Sequence, residues 1–435
     1  MFGTSGIRGP VGETVTADLA LSVGRALGVD AERVVVGRDP RESGALLTDA
    51  LTAGLRESGT DVLDLGLAAT PTVARAVAWE DADAGVSITA SHNPPEDNGI
   101  KLWQASGQAF DAERRETISR RVREDAADLR DWDGLGDRRD AQARERHVRA
   151  LVEAVEIDDP PSVIVDVGNG AGGVTVDALQ ELGCTVETLN AQPDGSFPGR
   201  PSEPTAENCG SLATLVAETD ADLGIAHDGD ADRMRAVAGD GTYLSGDVTL
   251  ALFARAAAEA GQRVAAPVDT SLAVADHLAE IDVPVERTKV GDVYVAERVA
   301  EDGVAFGGEP SGAWIWPDAT LCPDGPLAAC RLVELAAERP LAERAAEIDT
   351  YPIHRDSVAV EDKAAVMDRV RELVADRYDA VETMDGVRVD LGDGWFLLRA
   401  SGTQPLVRIT AEAREAGRAE SIFADARDLL ETARS

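Results

Sequence analysis

The chain has 435 residues, room for roughly three or four domains of ordinary size, and no run approaches the ~20 uninterrupted apolar residues that span a bilayer. Its 42 Lys and Arg stand against 80 Asp and Glu, a net charge of −38, which repels nucleic acid and anionic membrane surfaces and excludes both as expected partners. Four scattered cysteines, Cys184, Cys209, Cys322 and Cys330, lack the CxxC spacing of a zinc ribbon or redox pair.

The acids are interspersed among apolar positions along the whole length, and only Lys101, Lys289 and Lys363 among the basic residues are lysines. That composition fits a protein adapted to high salt, of haloarchaeal type, whose folded state molar salt should favour. The opening segment, Met1 to Arg8, has neither the basic run nor the apolar stretch of a signal peptide, so a cytoplasmic location is expected.

In chain order, short β-branched runs end in Gly- and Asp-rich turns followed by helical patterns. Val34 to Asp39, Val163 to Gly168 and Leu223 to Asp228 are the clearest. Such alternation predicts βαβ units in parallel or mixed sheets, an α/β protein. The charge-rich stretch from Arg130 to Arg149 reads as a connecting segment, Gly239-Asp240-Gly241 as a hairpin-type turn, and Ile348 to Pro352 as a third break. Four domains result: 1–140, 150–240, 241–348 and 352–435. The last is smaller and α+β, with a helix from Asp362 to Tyr378, strands around Gly386 to Leu398 and a C-terminal helix.

Four constellations carry chemistry. Thr89-Ala90-Ser91-His92-Asn93-Pro94-Pro95 follows an apolar strand, and its two prolines hold Ser91 out of regular structure. An exposed nucleophilic hydroxyl suits such a place, although a serine there also reads as a plain turn or helix cap. His92 adjoins Ser91 and reads as a supporting group, since adjacent residues seldom face one another.

Next, Asp228-Gly229-Asp230-Ala231-Asp232-Arg233 sets three carboxylates at alternate positions. Oxygen-only ligands suit a hard cation such as magnesium. An EF-hand is excluded by Arg233 at its sixth loop position and Gly239 at its twelfth. The competing reading is a solvated acidic turn.

Gly307-Gly308-Glu309-Pro310-Ser311-Gly312 offers a carboxylate and a hydroxyl able to bond vicinal sugar hydroxyls, or forms an ordinary loop. Arg399-Ala400-Ser401-Gly402-Thr403-Gln404-Pro405, with Arg408 beyond, supplies charge-assisted donors around a tetrahedral anion, or forms a hairpin turn. A fifth segment, Gly168 to Gly173, satisfies the dinucleotide fingerprint GxGxxG and supports an NAD-dependent dehydrogenase as the rival reading. No acid for the ribose is clearly placed after it, and a dehydrogenase leaves the other four segments unexplained.

Taken in order, TASHNP, DGDxDR, GExSG and RxSGTxP resemble the motifs of the α-D-phosphohexomutase superfamily, from Gly3 to Arg408. The resemblance implies four domains around a central cleft, three similar α/β/α domains with mixed sheets and a smaller C-terminal one, in which GNGAGG is a structural turn. It implies an isomerase that interconverts 6-phospho and 1-phospho sugars through a phosphoserine and a sugar bisphosphate, the latter also a possible activator.

Carried over residue by residue, the resemblance makes Ser91 the phosphoserine, with Asp228, Asp230 and Asp232 joining it around one magnesium ion. Arg8 and Lys101 neutralise charge there and assist proton transfer. Arg233, Lys289, Glu309 and Ser311 contact substrate, and Arg399, Ser401, Gly402, Thr403 and Arg408 hold the non-reacting phosphate.

Thr288 to Val295 and Gly3 to Gly9 resemble the phosphoglucosamine mutase branch, implying glucosamine 6-phosphate to glucosamine 1-phosphate. The alternative is a phosphoglucomutase/phosphomannomutase of broad specificity. Departures from the pattern are Pro310 where Gln, Met or Glu is common, Ala313 where His is common, and Gln404 where Glu is frequent. The expected partner is a small phosphosugar, and the expected assembly a monomer or homodimer.

Overall fold

A computed structural model describes residues 1–3, 6–402 and 405–434. The chain divides into two compact units, 1–249 with 311–345, and 250–310 with 346–435.

The first unit begins with a six-stranded sheet in the order Ile7–Pro10, Asp97–Trp103, Ala84–Ile88, Arg33–Arg38, Asp61–Leu67, Arg138–Asp140. Its middle strands run parallel, and the pairs made by Asp97–Trp103 are antiparallel. Helices cover both faces, which is why the central strand is a continuous Val34-Val35-Val36 rather than an alternating pattern. Val34 and Val36 pack with Leu47, Leu51 and Leu55 on one side, and Val35 packs with Val73 and Val77 on the other. Two helices, Ala17–Gly28 and Gly44–Glu57, lie so close that a Cβ on Gly24 would come within 2.2 Å of the Leu51 carbonyl oxygen. Glycine at that point is a packing requirement.

A four-stranded sheet follows, ordered Met234–Ala238, Leu223–His227, Ser162–Asp166, Thr185–Leu189, with only the Met234–Ala238 edge antiparallel. The turn at Gly239-Asp240-Gly241 closes as expected, with the Gly241 amide donating to the Ala238 carbonyl (2.8 Å). The remainder of this unit includes the helix Gly325–Glu338, capped by Asp324.

The second unit contains parallel strands in the order Val285–Thr288, Arg263–Pro267, Val304–Gly308. It also holds a five-stranded antiparallel sheet ordered Ile353–Ala359, Leu406–Ala413, Gly394–Ala400, Val387–Asp390, Val381–Glu382. Helices Lys363–Ala375 and Ala416–Arg434 cover one face of that sheet through Val366, Val370, Ile422 and Leu430. The expected α/β class, with a smaller C-terminal element, is what the structure has.

One expectation needs correction. The segment from Arg130 to Arg149 is not merely a connection: Arg138–Asp140 adds an edge strand beside Asp61–Leu67, and Arg144–Val152 is a helix with His147, Val148 and Leu151 buried. Strand pairing there is made by the main chain, and charged side chains are usual on an exposed edge.

All four cysteines are free and buried. Burial pushes the Cys184 and Cys209 thiols up to about 11, so neither is a poised thiolate. No helix among the described residues is long and apolar enough to cross a membrane.

Candidate functional site

Ser91 lies in the loop after the strand Ala84–Ile88, at a turn that forces its φ to 53°, a left-handed conformation costing a non-glycine residue ~1–2 kcal/mol. Several bonds hold it there. Its amide donates to Thr89 Oγ1 (2.8 Å), and its carbonyl accepts from Arg41 Nη2 and Ser202 Oγ, both at 2.9 Å. Arg41 also donates to the carbonyls of Asn93, Pro94 and Asp97 and is paired with Asp39, both side chains fully buried. The guanidinium therefore acts as an internal template for the whole loop.

Ser91 is fully buried, and its hydroxyl donates to Asp228 Oδ2 at 2.6 Å. His92 Nδ1 lies 3.5 Å from the same hydroxyl, too long for a working bond. Burial, with Arg233, Arg8 and Lys101 nearby, pushes the His92 pKa down to about 2 and keeps the ring neutral.

The three acids converge. Asp228, Asp230 and Asp232 are buried and offer ligand atoms within 4.8 Å of one another. Lys101, on the strand Asp97–Trp103, reaches Asp230 Oδ2 at 2.8 Å and also bonds Asp232. Thr70 bonds Asp230 twice, by its hydroxyl (2.6 Å) and by its amide to the Asp230 carbonyl (2.9 Å).

Charge follows from this crowding. Burial and then its two acidic neighbours push Asp228 well above the usual carboxylate range, and burial and Asp230 raise Asp232. Burial works against Asp230 too, but Lys101 and the Thr70 hydroxyl outweigh it and hold this carboxyl low. Burial likewise opposes the Lys101 ammonium, and Asp230 and Asp232 overcome it and raise its pKa.

One lysine does not satisfy three carboxylates. Asp230 Oδ1 and Asp232 Oδ1 are buried without a hydrogen-bond partner, an expensive state for an acceptor unless a cation takes it up. The donor set fits a hard divalent ion.

The other residues predicted for this region lie close by. Arg8 pairs with Gly99 across the sheet, has a buried Nε without a hydrogen-bond partner, and acts electrostatically on both Lys101 and Asp230. Arg233 lies 4.0 Å from Asp232. Ser311 precedes Gly312, whose carbonyl accepts from the Met234 amide (3.0 Å), so it borders the strand leaving the acid loop.

The glycine-rich segment lines the back of this loop. A Cβ on Gly170 would stand 2.7 Å from the Gly229 carbonyl oxygen, and one on Gly168 would strike the Arg200 guanidinium at 2.6 Å. Its glycines are used for that approach, and the Arg200 guanidinium packed against Gly168 is paired with Asp166.

The second unit holds the remaining residues. Glu309 accepts from the Gly291 amide (2.6 Å), and Lys289 lies over the Tyr294 ring. Arg399 and Arg408 face each other across adjacent strands and line a cavity of ≈ 460 Å³. Arg399 lies 3.6 Å from Asp385, which accepts from the Val290 amide. Ser401 is buried, its amide bonds the Leu406 carbonyl (2.9 Å), and its carbonyl accepts from Lys363. Lys101 and Lys363 thus touch motif segments. Gly402 is exposed, and Thr403 lies outside the described residues.

Sequence reasoning missed Arg41, Asp39, Thr70 and Ser202. Ser202 bridges the Ser91 carbonyl and the Gly229 amide (2.9 and 3.0 Å) and so fastens the serine loop to the acid loop. Nothing local marks it, although Asp39-Pro40-Arg41 after a strand was a visible turn signal.

Family profiles match the chain over four segments. Those described as phosphoglucomutase/phosphomannomutase alpha/beta/alpha domains I, II and III match residues 1–128, 145–241 and 245–351, and the corresponding C-terminal domain matches 357–429. A relative from Methanopyrus kandleri, named a probable phosphoglucosamine mutase, is 47% identical over 432 residues, covering 97% of this chain and 95% of its own. One of the same name from Methanococcoides burtonii is 44% identical over 437 residues, covering 100% and 99%. The crystal structure of a phosphoglucomutase/phosphomannomutase family protein from Burkholderia thailandensis superposes with TM-score 0.89 at 29% identity, over 100% of this chain and 98% of that one.

Proposed function

This chain belongs to the phosphoglucomutase/phosphomannomutase family, the α-D-phosphohexomutases, and from that premise we propose that it converts glucosamine 6-phosphate to glucosamine 1-phosphate with Ser91 as phosphoryl carrier. The enzyme class is that of its family, an isomerase. Support for the substrate comes from the Thr288 to Val295 segment and from archaeal relatives, matched over nearly their whole length, that bear the name phosphoglucosamine mutase.

The observation that carries the role of Ser91 is its hydroxyl, bonded at 2.6 Å to a buried acid of a three-carboxylate cluster. In the forward step the Ser91 Oγ–P bond breaks and a bond forms from phosphorus to the sugar C1 oxygen, whose proton is released. The resulting bisphosphate then gives its 6-phosphoryl back to Ser91. Arg8 and Lys101 supply fixed positive charge to the transferring group, which such a loose transition state needs. Asp228, Asp230 and Asp232 would hold magnesium, which when bound would supply further charge neutralisation to the transferring phosphoryl group. Arg233, Lys289, Glu309 and Ser311 would contact the sugar, and Arg399, Ser401, Gly402, Thr403 and Arg408 the phosphate that does not react. The divisions 1–140, 150–240, 241–348 and 352–435 serve as working domain limits.

A coupled assay in molar salt with magnesium, comparing glucosamine, glucose and mannose 6-phosphates, tests the substrate. Glucosamine 6-phosphate should give the highest kcat/KM. Equal or higher values for the other two would leave the family intact and remove this substrate.

A further inference from the structure

Arg399 and Arg408 are directly opposite on neighbouring antiparallel strands, and Ser357 is directly opposite Arg408 on the next strand. Like charges in that register repel and cost stability unless an anion joins them. One step along the same face, Arg355 pairs with Thr410, which pairs with Leu397. Side chains two apart on a strand share a face, and Arg355, Ser357, Thr410, Arg399 and Arg408 all line the ≈ 460 Å³ cavity. The opposite face of this sheet is the apolar one, with Leu398, Val407 and Ile409 packed under the two helices.

Three guanidiniums therefore share one cavity in a chain of net charge −38. Asp356 does not offset them, since its carboxylate lies 3.6 Å from Arg427. The other aspartate bordering the cavity is Asp269, whose pKa burial raises although Arg399 and Arg355 work against that shift. Hydroxyls of Ser357 and Thr410 complete a set of donors suited to a tetrahedral oxyanion.

We propose that Arg355 is a third anion-binding side chain of this cavity, holding the non-reacting phosphate of the phosphosugar together with Arg399 and Arg408. The inference rests on the reading of this sheet face as a phosphate-holding site, and Arg355 lies outside the RxSGTxP segment, on a strand more than 40 positions earlier.

Two measurements on Arg355→Ala and Arg355→Lys test it, and because Arg355 is exposed both variants should melt at the wild-type temperature. In steady-state kinetics with glucosamine 6-phosphate, Arg355→Ala should raise KM roughly tenfold with kcat changed by less than about threefold. Arg355→Lys should fall between, because an ammonium keeps the charge and loses the fork. In calorimetric titration with inorganic phosphate, which needs no turnover, Arg355→Ala should bind roughly tenfold more weakly than wild type. Unchanged phosphate affinity in Arg355→Ala overturns the proposal, and so does a fall in kcat at constant KM. If the wild type turns over no sugar phosphate, the proposed function fails, and the phosphate titration still decides the role of Arg355.

Discussion

In the function proposed here, the acid loop of the first unit and the arginine-lined sheet of the second would handle the same kind of group, a phosphate, by opposite means. Around Ser91 the key polar groups are buried and held by named bonds: Arg41 holds four carbonyls, Ser202 and Thr70 tie loop to loop, and Lys101 lies between two carboxylates. On the sheet, Arg355 and Arg408 are exposed side chains on strands whose stability comes from the apolar face behind them. A group that stabilises charge only while it is being transferred gains from preorganisation, since no reorganisation remains at the moment of reaction. A group that binds a phosphate throughout needs only reach and charge. Substitutions in the first region should therefore disturb folding and catalysis together, and those in the second should disturb binding alone.

The sharpest way to break this contrast is Arg41→Ala. It leaves Asp39 buried without its partner and four carbonyls without their donor, and losing one member of a buried pair costs about 3–5 kcal/mol. The denaturant midpoint should fall accordingly and activity should be largely lost, although Arg41 has no place in the transfer itself. A variant that unfolds at the wild-type midpoint would show the template to be dispensable.

Arg408→Ala should do the reverse. Stability should stay within about 0.5 kcal/mol of wild type, as for an exposed position, while KM rises and kcat holds. Calorimetric melting beside a substrate titration reads both.

A smaller effect concerns pH and only the first unit. His147 is buried, with Nδ1 bonded to the Thr72 hydroxyl and Nε2 3.3 Å from Asp324. Burial lowers its pKa despite that acid, so the folded ring is neutral where the unfolded one takes a proton. Stability should therefore fall as pH drops through about 6.5, with a limiting slope of about 1.4 kcal/mol per pH unit. Asp324, which burial raises but Arg75 and His147 hold low, loses its contribution only as pH falls below about 4. Denaturation of wild type and His147→Gln at pH 7 and pH 5 isolates the histidine: the variant should lose less between the two.

The same contrast explains what the sequence made legible. Asp228, Asp230 and Asp232 could be read as candidate metal ligands because they lie close together in sequence and stand at alternate positions. Lys101 could be read because a chain with three lysines exposes each one. Thr70 and Ser202 could not, because their partners lie 160 and 111 positions away, and no local pattern encodes such distances. Arg355 was hidden for the same reason, being brought beside Arg408 only by strand register. The GxGxxG segment offered a rival reading that the other motifs outweighed: its glycines permit a close approach, and what Gly170 approaches is the Gly229 carbonyl. Arg138–Asp140 was read as linker because edge pairing uses the main chain and leaves no trace in its charged side chains.

The most direct test of the role of Ser91 is intact-mass spectrometry with peptide mapping after incubation with a hexose 1,6-bisphosphate and magnesium. One phosphoryl group should appear on Ser91 of the wild type and none on Ser91→Ala, which should also be inactive. Mutase turnover by Ser91→Ala, or a phosphoryl group mapped to another residue, would contradict it.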